Sequence, residues 1–248
     1  MRLTVLGCSG TFPSADSGCS AYLVEHDGFR LLLDAGNGAV GALQRHVGLL
    51  DLDAVVLSHL HADHCVDLVA YSYARRYHPE RPPRLPVHGP RGTAERLVQV
   101  FDRPPPDGLH DIYDFRTTSA GTTQIGPFRV TLTPTAHPVE CYAVTVAAGG
   151  RTLTYSADTG PCDAVVRGAA GSDLFLCEST WLDDSEYPPN LHMTARQAGE
   201  HAARADVGRL VLIHTTAYLD QDAFVEQAAE AYAGPLERAT PGAVYDLA

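Results

Sequence analysis

The chain has 248 residues, 45% of them hydrophobic and 19% charged, so it is long enough to bury the core of one large α/β domain. Its net charge of −12 counts against a broad nucleic-acid surface, because such surfaces are usually basic. The six cysteines form no C-x-x-C pair and no apolar stretch approaches the ~20 residues of a membrane helix, which argues against a disulfide scaffold and a membrane span. The first residues do not resemble a signal peptide, so we expect a cytoplasmic protein.

Short apolar runs separated by turns fill the first part of the chain, and similar runs alternate with helical periodicity in the later part. Strands are predicted over residues 2–6, 21–25, 29–34, 54–58, 128–134, 142–147, 152–156, 174–177 and 210–214. Helices are predicted over residues 38–46, 66–77, 93–101, 194–205 and 221–232, with Thr194 as an N-cap. The proline-rich segments 81–86 and 103–108 are predicted to be loops. This order favours a single domain over residues 1–248, with two mixed sheets covered by helices.

The strongest chemical signal follows the apolar run 54–57, in the heptapeptide S-H-L-H-A-D-H. It brings four potential ligands into six residues: His59, His61, Asp63 and His64. Imidazole and carboxylate groups suit zinc and related divalent metals, and the segment can serve two adjacent ions if it forms a tight loop. The alternative is a polar loop that is merely rich in histidine, but this pattern is rare by chance in a chain with 12 histidines.

Three further ligand-type residues each come directly after an apolar run. His137 follows residues 130–136, Asp158 follows residues 153–157, and His214 follows residues 210–213. Each alone would more often be a cap or an ordinary loop residue. Their shared position at predicted strand ends, together with the heptapeptide, favours additional metal ligands.

This ordered set of motifs resembles the metallo-β-lactamase superfamily, including the D-x-G turn at Asp34 and the Asp of S-A-D-T-G at Asp158. The resemblance implies an α/β fold, the αββα sandwich, with two metal ions at one edge of the sheets. It assigns His59, His61 and His137 to one ion, Asp63, His64 and His214 to the other, and Asp158 to both. β-Lactamases proper usually have Cys in place of Asp158, so lactam hydrolysis is not expected. Asp34 is expected to fix the tautomer of a ligating histidine.

Two further elements resemble the tRNA 3′-processing endonuclease branch of this superfamily. They are E-S-T at Glu178 and H-M-T-A at His192, and the resemblance implies that the glutamate orients a histidine acting on the scissile phosphate. The alternative for His192 is a residue that only caps a helix entry. The turns around Ser9, Thr11 and Arg91 also fit this branch and are predicted to contact substrate. The basic arm expected between residues 92 and 137, which grips tRNA in that branch, is missing.

The motifs also resemble an actinobacterial group of this superfamily described as atypical cyclic-nucleotide phosphodiesterases, through residues 41–46, 57–65, 75–79, 158–160 and 188–192. We therefore predict a phosphodiesterase for a small substrate such as cyclic AMP, with Asp63, Glu178 and His192 as catalytic residues. Its cofactors would be two divalent ions, Zn²⁺ with Mn²⁺ as the alternative. The alternatives for the reaction are tRNA 3′ processing, or thioester or other ester hydrolysis. No membrane partner and no stable nucleic-acid partner are expected, and a homodimer is left open.

Overall fold

The protein is described by a computed structural model that covers residues 1–101, 103–184 and 186–247. The strands in chain order are β1 (Arg2–Ser9), β2 (Gly18–Cys19), β3 (Ala21–His26), β4 (Phe29–Leu33), β5 (Ala54–Val56), β6 (Leu85–Gly89), β7 (Tyr113–Thr117), β8 (Gly121–Ile125), β9 (Phe128–Pro134), β10 (Tyr142–Ala148), β11 (Arg151–Tyr155), β12 (Leu174–Glu178), β13 (Leu210–Ile213), β14 (Leu236–Arg238) and β15 (Val244–Asp246). The helices are α1 (Ala39–Leu43), α2 (Ala62–Cys65), α3 (Asp67–Tyr77), α4 (Thr93–Val98), α5 (Asp163–Ala169), α6 (Ala195–Ala205) and α7 (Gln221–Ala229).

The strands form two mixed sheets. The first has the order β15-β1-β3-β4-β5-β6-β7, with β2 paired to β1, and its strands from β4 to β7 run parallel. The second has the order β14-β13-β12-β11-β10-β9-β8, and its strands from β11 to β14 run parallel. The predicted architecture of two mixed sheets flanked by helices is confirmed.

Strand alternation sends side chains into different layers of the core. In β4, Leu31 and Leu33 belong to the cluster between the two sheets, whereas Leu32 belongs to the cluster under the helices of the first sheet. Both faces of this strand are therefore buried at its C-terminal end, as three consecutive leucines require. The helices α5, α6 and α7 pack on the second sheet around Phe175 and Phe224, which completes the αββα order of layers.

The helix prediction for residues 194–205 is confirmed at its start. Thr194 caps α6 by accepting a hydrogen bond from the Gln197 N–H, and the Gln197 side chain accepts one from the Thr194 N–H. This capping box satisfies two backbone donors that a helix start otherwise leaves free. Among the described residues, no helix has the length and apolar character needed to cross a membrane.

Several elements were not predicted from the sequence. Strand β6 includes Pro86, so it overlaps the segment 81–86 that was predicted to be a loop. Strands β7 and β8 carry mostly polar side chains, and the short strands β2, β14 and β15 have two or three residues each. Such strands are stabilised by pairing with neighbours and give little hydrophobic periodicity of their own.

Candidate metal centre

The candidate ligands lie at one edge of the two sheets. Strand β5 runs parallel to β4 in the first sheet, and β11, β12 and β13 run parallel in the second. Because the C-terminal ends of parallel strands meet at a common edge, the residues that follow them converge there. The heptapeptide follows β5, Asp158 follows β11, Glu178 ends β12, and His214 follows β13.

One group of ligand atoms joins the heptapeptide to the loop after β9. The Nδ1 atom of His61 lies 3.1 Å from His59 Nε2 and 3.2 Å from His137 Nε2. Asp158 Oδ2 lies 3.5 Å from His59 Nε2, and the four side chains offer ligand atoms within 4.8 Å of one another. The sequence-predicted first ligand set is therefore brought together in space.

A second group lies beside it, on the side of β13. Asp63 Oδ2 lies 3.5 Å from His64 Nε2 and 3.3 Å from His214 Nε2. Asp158 Oδ1 lies 3.2 Å from His64 Nε2 and 3.5 Å from His214 Nε2. The two carboxylate oxygens of Asp158 thus face different groups, and this carboxylate stands between them.

The donor atoms in both groups fit divalent cations. His64 Nε2 and Asp158 Oδ1 are buried, and neither makes a hydrogen bond to any described residue. Burial lowers the pKa values of His59, His61 and His137, which favours the neutral imidazole that binds a metal. Burial alone would raise the pKa of Asp158, but the neighbouring His214 and His64 hold it well below its usual range. In the first group, neutral imidazoles beside a buried carboxylate are the ligand set expected of zinc and related metals. In the second group, burial lowers the pKa of His64 but Asp158 and Asp34 outweigh that effect and raise it, so a bound cation would displace the Nε2 proton.

A buried hydrogen-bond network fixes the orientation of His64. Asp34 is fully buried and accepts hydrogen bonds from His64 Nδ1–H at 2.8 Å, from Tyr155 O–H at 2.7 Å, and from the Ser58 N–H and O–H at 2.7 Å each. With Nδ1 held by Asp34, the Nε2 atom of His64 is the one that faces the candidate centre. The sequence indicated that Asp34 would act on a histidine, but it gave no sign of Tyr155.

Two other candidate ligands, His137 and His214, are also oriented by hydrogen bonds from their Nδ1 atoms. His137 Nδ1–H donates to the Leu191 carbonyl at 3.2 Å, and His214 Nδ1–H donates to Thr180 Oγ1 at 2.9 Å. The Thr180 hydroxyl in turn donates to Glu178 Oε2 at 3.0 Å. Thr180 therefore connects the second ligand group to Glu178. Sequence reasoning missed this role, although Thr180 lies in the E-S-T element that identified Glu178.

Glu178 and His192 form a buried pair beside the ligand groups. His192 Nδ1–H donates to Glu178 Oε1 at 2.9 Å, and the His192 ring stacks on that of His214 with centroids 5.3 Å apart. Burial lowers the pKa of His192, but the charge of Glu178 and its hydrogen bond outweigh that effect and raise it to about 9. Glu178 therefore favours the protonated imidazole, which lies next to the candidate metal ligands without belonging to the two groups above.

Five of the nine non-glycine residues with positive φ in the described part of the chain lie around the same edge. Thr11, Asp34, Ala157, Asn190 and His214 have φ values of 64°, 56°, 53°, 59° and 55°, in the left-handed region that non-glycine residues rarely adopt. Conformations of this kind cost about 1–3 kcal/mol each and persist where surrounding structure enforces them. Their clustering supports a functional role for this edge.

The predicted substrate-contacting residues lie at different distances from the ligand groups. The Thr11 N–H is 3.4 Å from His214 Nε2, and Ser9 bridges to Thr215 at the end of β13. Ser9 also lines a cavity of about 380 Å³ with Arg238 and Gln221. Arg91 is exposed, and no hydrogen bond joins it to the described residues. The structure therefore brings Thr11 to the ligand groups, places Ser9 at a neighbouring cavity whose lining contains no ligand residue, and gives no contact between Arg91 and the ligand groups.

Trp181 and Tyr187, two aromatic residues that follow Glu178, stack on each other at 6.1 Å. The Trp181 ring also lies 6.3 Å from that of His192. These two stacked aromatic side chains therefore lie beside the Glu178–His192 pair.

Both the sequence and the fold of this chain are similar to those of known proteins. A family model for the beta-lactamase superfamily domain matches residues 29–215. An uncharacterized protein of Mycobacterium leprae is 38% identical, over 100% of this chain and 89% of that protein. The "probable metallo-hydrolase YhfI" of Bacillus subtilis is 30% identical, over 99% of this chain and 100% of that protein. The YhfI crystal structure aligns with a TM-score of 0.88 and 28% identity, covering 98% of both chains. A ribonuclease Z of Metallosphaera sedula is 26% identical, over 92% of this chain and 93% of that protein.

Proposed function

Because this chain belongs to the beta-lactamase superfamily and its relatives are metallo-hydrolases, we propose that it is a dinuclear zinc phosphodiesterase that hydrolyses a small phosphodiester such as a cyclic nucleotide. His59, His61 and His137 would hold one ion, Asp63, His64 and His214 the other, and Asp158 both. The observation that carries the proposal is the position of Asp158, whose two oxygens face different ligand groups. Zn²⁺ is the preferred ion and Mn²⁺ the alternative.

Two adjacent divalent ions, when bound, supply an activated water near neutral pH and stabilise the charge of a phosphoryl group. The chain's own residues would orient the attacking water and protonate the leaving oxygen. Asp63 is 9% exposed, and its carboxylate would orient the attacking water by accepting a hydrogen bond from it. Glu178 would hold the His192 ring so that Nε2–H points to the leaving oxygen.

The Glu178–His192 pair favours phosphodiester cleavage over other hydrolyses. Departure of a sugar alkoxide needs a proton, and a protonated imidazole is a suitable donor. The Glu178 carboxylate raises the pKa of His192, which favours the charged donor. An Asp at position 158 in place of the Cys usual in β-lactamases supports the same choice against lactams.

The fold between residues 92 and 137 supports a small substrate. This segment contains α4, β7, β8 and β9, and the three strands belong to the two sheets. Within the described residues it therefore contributes to the body of the protein and does not form an extended basic arm. The net charge of −12 also opposes binding of a long polyanion. A tRNA 3′-processing activity, suggested by the ribonuclease Z relative, is the second candidate.

A substrate panel tests the proposal. Purified zinc-loaded protein would be assayed with 3′,5′-cyclic AMP, bis-p-nitrophenyl phosphate, a precursor tRNA, a thioester and nitrocefin. We expect turnover of the first two and little activity on the others. His59→Ala is the matched control and should remove the activity while the fold is retained. Efficient cleavage at the 3′ end of the precursor tRNA, with no hydrolysis of cyclic AMP, would favour the second candidate.

A further inference from the structure

Two exposed aromatic rings lie together at one rim of the candidate centre. Phe12 is 43% exposed and Tyr218 is 72% exposed, although both are large apolar side chains. Their ring centroids are 6.1 Å apart and their planes differ by 14°, so the rings are nearly parallel. Neither residue has a role in the proposed reaction so far.

Both rings are carried by loops that contact the ligand groups. The N–H of Thr11, the residue before Phe12, lies 3.4 Å from His214 Nε2. Gly10 donates its N–H to the Thr215 carbonyl at 3.1 Å, which ties the Phe12 loop to the loop that carries Tyr218. Phe12 thus directly follows Thr11, whose N–H faces His214, and Tyr218 comes four residues after His214 in the chain.

The Phe12 loop is held in a costly conformation. Thr11 has φ 64°, which is a genuine outlier for a β-branched residue. Strain of this kind is retained where the structure enforces it, often at ligand sites. The hydrophobic effect would favour burial of both rings, so their shared exposure beside the candidate centre points to a ligand that covers them.

We infer that Phe12 and Tyr218 form a stacking subsite for the nucleobase of the substrate, an inference that rests on the proposed function. With the phosphate held at the candidate centre, a base attached through the sugar would reach this rim. A nucleobase suits the rings because it is flat and aromatic, and stacking on them needs no charged partner. The pair would therefore favour nucleotides over phosphodiesters that lack a base.

A second exposed pair provides a matched control. Tyr73 and Tyr77 on α3 are 47% and 73% exposed, with ring centroids 6.2 Å apart and planes differing by 16°. Tyr77 is the last residue of α3, roughly 15 Å along the helix axis from its start near the heptapeptide. The two pairs have similar geometry, but only Phe12 and Tyr218 are carried by loops that contact or contain His214.

Equilibrium binding separates base recognition from phosphate recognition. Zinc-loaded protein would be titrated with adenosine 5′-monophosphate and with ribose 5-phosphate in a calorimeter. Phe12→Leu and Tyr218→Leu keep an apolar side chain but remove the ring. Each should weaken binding of the nucleotide about 5-fold to 100-fold, the range for loss of one stacking contact. Binding of ribose 5-phosphate should change less than 2-fold, and Tyr77→Leu should affect neither ligand.

Equal affinity of the wild-type protein for the two ligands, or equal weakening of both by the ring substitutions, would overturn the subsite. Dissociation of a dimer by Tyr218→Leu, with nucleotide binding unchanged, would assign the rings to an interface instead. Hydrolysis of cyclic AMP is measured separately. Base-dependent binding without hydrolysis supports the subsite and contradicts the proposed reaction, whereas hydrolysis with base-independent binding contradicts the subsite alone.

Discussion

Replacement of His192 by alanine is the sharpest test of the proposed reaction. The side chain is 8% exposed, and its Nδ1–H is held by Glu178 at 2.9 Å. Its Nδ1 atom lies 4.0 Å from Asp158 Oδ2, and His192 is not among the seven residues that make up the two ligand groups. We therefore expect His192→Ala to remove a proton donor while both metal ions stay bound.

The magnitude follows from the charge state of His192. The Glu178 carboxylate raises the pKa of His192 and holds its Nδ1–H, which favours the imidazolium as a proton donor. General acid catalysis typically contributes about 10²–10⁴-fold. Loss of the donor should then lower kcat for cyclic AMP by that factor, equivalent to about 3–5 kcal/mol of transition-state stabilisation.

The leaving group provides an internal control for this prediction. A p-nitrophenolate leaves without protonation, so His192→Ala should affect bis-p-nitrophenyl phosphate much less than cyclic AMP. The assay is kcat for both substrates, with the metal content of each preparation measured. Equal loss on the two substrates, or loss of a metal ion with the side chain, would refute the assignment of His192 as a proton donor.

Glu178→Gln should act in the same direction as His192→Ala, with an added cost in stability. The Glu178 carboxylate accepts five hydrogen bonds. The donors are the backbone N–H groups of Thr159, Thr180 and Met193, the Thr180 hydroxyl, and His192 Nδ1–H. An amide NH₂ in its place would oppose at least one of these buried donors, at a cost of about 1–3 kcal/mol. Because the two residues act as a unit, the double substitution should lower kcat little more than His192→Ala alone.

Three other predictions concern the residue that orients His64, the carboxylate shared by the two ligand groups, and the N-cap of α6. Asp34→Asn should weaken zinc binding about 10–100-fold, because it alters the group that orients His64; competition with a chelating dye measures this, and unchanged affinity would contradict it. Asp158→Ala should leave fewer than two zinc ions per chain by metal analysis, since its oxygens face both ligand groups; two retained ions would count against a shared carboxylate. Thr194→Ala should lower the free energy of unfolding in urea by about 1 kcal/mol with metal content unchanged, through loss of the capping box.

The sequence predicted those parts of the site whose signal is local or repeated at strand ends. The heptapeptide is contiguous, and His137, Asp158 and His214 each follow a recognisable apolar run. The apolar end of β4 also gave a clear pattern, because Leu31, Leu32 and Leu33 alternate between two cores. For these elements, the local sequence pattern agrees with the position of the residues in the fold.

Other parts depend on contacts that no local pattern encodes. Tyr155 ends β11 and is typical of a core residue, but its hydroxyl reaches Asp34, 121 residues away in the chain. Phe12 and Tyr218 become neighbours because Gly10 pairs with Thr215 across two loops. Strands β7 and β8 are polar and acquire their structure from the strands beside them. Sequence periodicity contains no signal for such long-range partners.

The central claim, a dinuclear phosphodiesterase, is tested most directly by adding zinc back to metal-free protein and measuring hydrolysis of 3′,5′-cyclic AMP at each step. The account predicts that activity rises until two equivalents per chain are bound, because the ligand atoms form two groups joined by Asp158. Full activity at one equivalent would contradict the dinuclear centre. Absence of hydrolysis at two bound equivalents would contradict the proposed substrate class.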